Sequence, residues 1–571
     1  MREQRSERLE RWVPGVRVVR TYEKSWLRAD LVAGVVLAAI LVPQGMAYAE
    51  LAGLPAVTGL YTTIACLVGY ALFGPSRVLV LGPDSSISPL ILAAIVPLLA
   101  GGDTGTAIAL AGMLAVFVGL LEIGLGLGKL GFVADLLSKE VQVGYMNGLA
   151  ITIIVSQLPK LFGFSTDGDG FIEDLSQCFQ GLDQTDVTTL LIGAGVLAVL
   201  LALPRITKKV PAILVAVVGA TVLTATLGLA AEGVATVGEL PQGVPKPEVP
   251  WTDISDVAPL MLAAMAITLV SLTDTIATAT SFASRRGEEV EPDQEMVGMG
   301  AANVAAGLFQ GFAVSTSGSR TAVAEESGAK SQFTGVVGAG MVLVLLLFLS
   351  SLLADLPQTA LAAVVIAAAF TLTDLGALRR YRQVRKSALA ISLVATAGVI
   401  LFGVLQGIIV AVILAIFLFF RRNWWPHGAV LGEVEGLDGW HSTKVYPEAR
   451  QVSGIVVYRW EAPLFFANAG QFRQQIRRLV RDGQPDWVVL QCEAVTDVDV
   501  TAAEMLEKLD LELNDQGVHL AFAEMRERLQ DLTLEYGLFE TLDRDHFYPT
   551  IETAIEATRK KQATGPDAPS S

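Results

Sequence analysis

The chain has 571 residues, 52% of them hydrophobic and 17% charged, with a mean hydropathy of +0.52. That is too apolar for a water-soluble protein and points to a polytopic membrane protein. A formal net charge of −16, with no basic motif, excludes a nucleic-acid-binding role.

The arm over residues 1–26 is Arg-rich and has no apolar core segment. It reads as a cytoplasmic start rather than a cleaved signal peptide. Apolar runs of spanning length then recur. The first set is Leu31–Ala49, Ala56–Phe73, Ser85–Ala100, Thr106–Leu127, Val141–Leu161, Val187–Leu203 and Ala212–Leu229. The second is Val257–Ala283, Gln294–Phe312, Arg320–Glu326, Phe333–Leu353, Ala360–Thr373, Ser387–Phe402 and Gln406–Phe420. The third and tenth segments are too short or too interrupted to cross alone. Together they form a transmembrane domain over residues 27–422, with repeats over 27–230 and 257–422.

Loop charges support this count. Basic residues fall in the arm and at Arg77, Lys129/Lys139, Arg205/Lys208/Lys209, Arg285/Arg286, Lys330, Arg379–Lys386 and Arg421/Arg422. These are alternate junctions. The other loops are acidic or bare, as at Asp167/Asp169/Glu173/Asp174 and Glu232/Glu239/Glu248/Asp253. The positive-inside rule puts both termini in the cytoplasm of a multi-pass cell-membrane protein.

Two features carry chemistry. Asp274 lies inside the eighth apolar run, where an acid is costly and marks a functional site. The third segment of each half is broken in a matching place. In the first half, a β-like run ending in Gly82-Pro83 leads into Asp84-Ser85-Ser86; in the second, Ser315-Thr316-Ser317-Gly318 leads into Ser319-Arg320. An odd number of segments per half inverts one half relative to the other. Two half-helices then meet head to head near the midplane, with N-terminal N–H groups aimed at an anion.

From Asn423 the texture changes. A polar linker over 423–452, with Trp424-Trp425 at the interface, leads into a small α/β domain over 453–560 and a disordered tail over 561–571. Strands are expected at Gly454–Trp460, Leu464–Ala467, Trp487–Cys492 and Val518–Ala523. Helices are expected at Gln471–Val480, Thr501–Leu513, Arg526–Tyr536 and Ile551–Arg559. No P-loop or catalytic triad is present, and no cofactor is implied, so the chain does not read as an enzyme. Cys66, Cys178 and Cys492 have neither metal-ligand spacing nor a paired framework.

The chain resembles the sulfate permease (SulP) anion transporters with a C-terminal STAS domain. The resemblance runs through Pro43–Ala49 (PQGMAYA), Ala52-Gly53-Leu54-Pro55, Gly59-Leu60-Tyr61, Gly82-Pro83, Gly144-Tyr145, Ser319-Arg320-Thr321-Ala322 and Asp499-Val500-Thr501. It covers about Val13 to Ala557. It implies fourteen segments as two inverted seven-span repeats, divided into a core and a gate, followed by the STAS domain. A homodimer working by an elevator-like movement is the implied mechanism.

By the resemblance, a small inorganic or carboxylate anion binds at Asp84, Ser85 and Ser86, at Ser319 and Arg320, and at Gln44 and Tyr48. Asp274 stands where family members linked to proton coupling usually carry Glu, with Thr278 one turn on; these two would also hold Na⁺. The position of Asp84 is commonly uncharged in the family's anion exchangers. A carboxylate there competes with the anion for the helix N–H groups unless a cation neutralises it. The reading is therefore cation-coupled symport, with H⁺ ahead of Na⁺ and sulfate ahead of bicarbonate with Na⁺ or a C4-dicarboxylate with H⁺. A STAS-tethered regulator without transport is the alternative of another class.

Plainer readings stand beside these. Asp84 would be a helix cap. Asp274 would pair with Arg320. Glu122 would be a polar packing residue, and Gly124, Gly126 and Gly128 would permit close helix packing. Thr501 is either a phosphorylatable switch or the cap of its helix. The STAS domain is expected to serve dimer contact and to bind regulatory proteins.

Overall fold

The computed structural model describes residues 13–99, 103–166, 170–207, 210–537, 542 and 544–563. Most of the Arg-rich arm, Asp167, Asp169, Lys208, Lys209, the side chain of Arg422 and the tail from 564 lie outside the described residues.

A short helix α1 (Pro14–Thr21) precedes the first repeat. That repeat comprises α2 (Leu27–Leu51), α3 (Ala56–Phe73), the two-residue strand β1 (Leu81–Gly82) with α4 (Ser88–Ile95), α5 (Thr104–Leu127), α6 (Lys139–Phe162), the amphipathic α7 (Phe171–Gln180), α8 (Val187–Ile206) and α9 (Ala212–Leu227). The second comprises α10 (Ile254–Ser284), α11 (Pro292–Leu308), β2 (Ser315–Thr316) with α12 (Gly318–Glu326), α13 (Phe333–Phe348), α14 (Gln358–Leu372), the amphipathic α15 (Leu375–Val384), α16 (Lys386–Phe402) and α17 (Val404–Trp424). Among the described residues, seven helices are long and apolar enough to cross a membrane unaided. The ninth span ends at Leu308 rather than Phe312, because Phe309–Val314 turns into β2.

Helix starts follow local chemistry. Pro55, Pro211 and Pro357 stand at the caps of α3, α9 and α14, where a missing N–H costs nothing. Asp103 accepts from Thr106 N at 3.0 Å, and Asp186 from Thr189 N at 2.8 Å. The start of α13 is capped from another helix. The Asp30 carboxylate, on α2, accepts from Lys330 N (2.7 Å), Ser331 N (3.3 Å), Ser331 Oγ (2.8 Å) and Thr334 Oγ1 (3.0 Å). Negative charge at a helix N-terminus satisfies otherwise orphaned donors.

The helices sort into two bundles by packing. The first is α2–α5 with α10–α13; the second includes α6, α8, α9, α14 and α16. The most extensive helix pair is α5 with α11, and its seam is backbone on backbone. A Cβ at Gly112, Gly119 or Gly126 would lie 3.0, 2.5 or 2.4 Å from the carbonyl oxygen of Gly307, Gly300 or Asp293. The seven-residue spacing on both helices makes this one continuous stripe. Of the glycines expected to permit close packing, Gly126 does so; a Cβ at Gly124 would meet nothing within 4 Å, and one at Gly128 would meet its own helix.

The second compact unit begins at Ile416. Its sheet has six strands in the order β4-β3-β5-β6-β7-β8: β3 (Gly428–Glu433), β4 (Trp440–Ser442), β5 (Ile455–Trp460), β6 (Trp487–Gln491), β7 (His519–Ala523) and β8 (Phe547–Tyr548). Strands β5 to β8 are parallel, and β3 is antiparallel to both its neighbours. Helices α18 (Ala469–Gly483) and α19 (Val500–Asn514) bury one face of the sheet, α20 (Glu527–Glu535) follows β7, and α21 (Ile551–Ala563) covers the other face.

Two expectations are corrected here. The segment 423–452 is not a bare linker, since it supplies β3 and β4. Leu464–Ala467 is not a strand; Leu464 makes a single bridge to Val498 and the chain then turns. Cys492 is buried, and burial pushes its thiol up to about 12, which leaves it inert.

Candidate functional site

The two broken segments meet. β1 pairs antiparallel with β2 in a two-rung ladder, Leu81 opposite Thr316 and Gly82 opposite Ser315. The antiparallel sense is what inversion of one repeat requires. Each strand delivers the chain to the head of its half-helix. A cavity of about 1040 Å³ opens in front of both heads. It is lined by Gln44 and Tyr48 from α2, Asp84, Ser85 and Ser86 before α4, Asp274 and Thr278 from α10, and Ser319 and Arg320 from α12. All nine residues expected to bind the anion or the coupling cation thus line one space.

Asp84 does two jobs. Its Oδ1 accepts from Ser86 N (2.9 Å) and Ser86 Oγ (2.8 Å), and its carbonyl accepts from Ser88 N (3.1 Å). It therefore closes the turn that leads into α4, whose own N-cap, Ile87, makes no side-chain capping bond. Its Oδ2 lies 3.3 Å from Arg320 Nη2. Arg320 is 1% exposed and reaches across from α12, donating also to Pro83 O (2.5 Å) and Gly82 O (3.5 Å). The one fixed positive side chain at the heads is thus paired, and its partner is Asp84, not Asp274 as one reading had it.

Asp274 instead accepts from Gln142 Nε2 at 3.0 Å. Gln142 belongs to α6 and went unnoticed in the sequence, where one Gln near the start of an apolar run carries no signal. Lys139, one turn before it, and Thr316 on β2 also line the cavity. Thr316 Oγ1 donates to Thr275 Oγ1 at 3.3 Å, fixing the ladder against α10. The Gln44 Oε1 atom is buried without a partner and 7% of the residue is exposed.

Glu122 does not line the cavity. It is buried on α5 and accepts from Asn303 Nδ2 at 2.8 Å, while Asn303 Oδ1 accepts from Val314 N at 2.7 Å. This is a packing role that steadies the chain just before β2. Thr501 sits in the other unit, exposed, in the first turn of α19. It is not the cap: Asp499 accepts from Ala502 N at 2.8 Å and from Phe466 N at 2.8 Å.

Head-to-head half-helices within an inverted-repeat membrane bundle define a membrane transporter with an anion-compatible site. Comparison with known proteins agrees. The Sulfate permease family description matches residues 27–395, and the STAS domain description matches residues 446–554. The chain belongs to the sulfate permease family and is a multi-pass membrane anion transporter, not an enzyme. It is 41% identical over 552 residues to the probable sulfate transporter Rv1739c of Mycobacterium tuberculosis, covering 96% of this chain and 98% of that one. Its fold superposes on the overall structure of SLC26A9 with a TM-score of 0.90 at 22% identity, covering 99% and 96% of the two chains. The transmembrane domain of a cyanobacterium bicarbonate transporter, BicA, matches with a TM-score of 0.61 at 25% identity, over 69% of this chain and 98% of that one.

Proposed function

We propose that this chain is a cation-coupled symporter of a small anion, with sulfate the first candidate. The observation that carries the reading is the shared cavity, in which the heads of α4 and α12 face the carboxylate of Asp274. The anion binds between Ser85, Ser86 and Ser319 and the first N–H groups of the half-helices, beside Gln44 and Tyr48. The Asp84–Arg320 pair is neutral as it stands, so it supplies shape and hydrogen bonding more than net charge. Asp274, the carboxylate that faces the heads from α10, repels an anion until a cation neutralises it. That obliges the two ions to bind together.

H⁺ is favoured over Na⁺ because one carboxylate suffices for a proton, whereas Na⁺ would need further oxygens, of which Thr278 is one. The likeness to Rv1739c favours sulfate; the likeness to a bicarbonate transporter keeps bicarbonate with Na⁺ as the second reading. Both termini lie in the cytoplasm, the protein is a cell-membrane homodimer, and the first bundle moves against the second as an elevator. Thr501, exposed at a helix N-terminus, accepts regulatory phosphate.

The test is uptake by the purified protein in liposomes. Labelled sulfate, bicarbonate or succinate is offered with and without an inward pH or Na⁺ gradient. Accumulation of sulfate only under a pH gradient is expected. Uptake indifferent to both gradients would sink symport.

A further inference from the structure

The hydrogen bond from Gln142 to Asp274 joins the two bundles. Helix α6 packs on α8, α14 and α16; helix α10 packs on α4 and α5. Between the two lies the cavity, and Gln142 spans it to reach the carboxylate at 3.0 Å. Any movement of one bundle past the other must break or remake this contact. We infer that Gln142 is a positioning residue that ties the first bundle to the second while Asp274 is ionised and releases it when a cation sits on Asp274. The inference rests on the reading of Asp274 as the coupling acid.

The physical reason is the acceptor. An amide N–H bonded to a carboxylate is charge-assisted and about twice as strong as the same bond to a neutral oxygen. A proton or Na⁺ on Asp274 removes most of that advantage. The tie therefore restrains the empty carrier and the carrier holding anion alone, and spares the carrier holding both. Restraint of the anion-only state prevents leak. Restraint of the empty state makes its return slow, so exchange runs faster than net transport.

Other charged groups do not substitute for the tie: Lys139, Arg205 and Asp374, which line the cavity from the second bundle, make no ion pair with the first among the described residues. Asp84 and Arg320 pair with each other across the ladder, within the first bundle. Lys160 and Glu50 do join the bundles, 3.8 Å apart, but Lys160 is near the far end of α6 from Gln142, about 27 Å along the helix axis. Motion that opens the gap at one end need not break the contact at the other.

The experiment compares wild type with Gln142→Leu and Asp274→Asn in liposomes. The probe is whichever of labelled sulfate, bicarbonate and succinate wild type takes up. Three rates are read: counterflow exchange, downhill efflux without any cation gradient, and gradient-driven accumulation. For Gln142→Leu, exchange within about twofold of wild type is expected. Efflux should rise by up to about tenfold, the range a hydrogen bond to a charged group supports, with accumulation falling in step. Gln142→Asn, whose amide is too short to reach, should behave alike.

Unchanged efflux and accumulation in Gln142→Leu would overturn the tie, and so would loss of exchange, which would make Gln142 a binding residue. Asp274→Asn separates the two ideas. If it still accumulates anion under a gradient, the coupling role of Asp274 fails first. If it is uncoupled while Gln142→Leu matches wild type, only the tie fails.

Discussion

At the head of α4 stands a carboxylate, Asp84; at the head of α12 stands a guanidinium, Arg320. The two heads are entered alike, each by a two-residue strand of one ladder. Their chemistry is opposite. Asp84 folds back onto the turn before α4, whereas Arg320 reaches over to the other repeat and holds Gly82 O and Pro83 O. At the cross-strand pair one repeat has Gly82 and the other Ser315. A Cβ at Gly82 would lie 2.9 Å from Arg320 Nη1, so the small residue leaves room for the arginine of its counterpart. The backbone symmetry thus builds the cradle, and the broken side-chain symmetry neutralises it.

Removing one side of this asymmetry should have the largest effect. Arg320→Ala leaves Asp84 buried without its charge partner, a loss of about 3–5 kcal/mol. Its thermal midpoint in detergent should fall and uptake should vanish. The double variant with Asp84→Ala should recover much of the midpoint. If it melts no higher than Arg320→Ala, the pair is not what stabilises the heads.

A gentler break keeps the turn and removes the charge. Asp84→Ser retains a side-chain oxygen that can close the same turn onto Ser86 N. It leaves Arg320 with an uncompensated charge facing the cavity, and the anion should bind about tenfold tighter, as one lost ion-pair partner of about 1.4 kcal/mol would give. Binding titration in detergent reads this directly; weaker binding would mean that Asp84 itself orders the site. Smaller again, Gly82→Ala should displace Arg320 by a few tenths of an ångström and weaken anion affinity a few-fold, while Ser315→Ala, at the facing rung, should be close to neutral.

Another small effect lies in the STAS unit, where an ion cluster makes a contrast with the buried pair. Glu512 accepts from Arg473 Nη2 (3.0 Å) and Arg477 Nη2 (2.7 Å), and these bonds, that of Arg477 foremost, hold its carboxyl below the usual value. A carboxyl lowered on folding stabilises above its unfolded value, and that contribution is lost as pH falls through the folded value. Glu512→Gln should cost under about 1 kcal/mol at pH 7, as exposed pairs do, and the difference from wild type should shrink as pH falls through the lowered folded value. Calorimetry of the STAS transition across that acid range measures it.

Much of this was legible because hydropathy and charge report on the solvent. Spans such as Ala56–Phe73 coincide with their helices, since lipid imposes length and composition together. The half-helix heads were legible because Gly, Pro and Ser interrupt both third segments. Partnerships were not. Whether Arg320 pairs with Asp84 or Asp274 depends on whether it crosses to the other repeat, and nothing local to Arg320 encodes that. Gln142 acquires meaning only from Asp274, 132 positions away. Strands β3 and β4 lie in a stretch that reads as linker because a short antiparallel strand such as Trp440–Ser442, half-buried throughout, lacks the alternation of a longer one.

The stripe between α5 and α11 has a mechanical consequence. A contact made of glycine against carbonyl oxygen contains no rotamers, so it freezes no side-chain entropy when it forms and offers no soft torsions through which to yield. Stress applied to the first bundle is passed on rather than absorbed. The borders of α2 with α9 and α14 instead lie in one apolar cluster that includes Val42, Val217 and Val364, so compliance is left to side-chain packing there. The bundle that carries both half-helices is in this sense a stiff body on a yielding bearing.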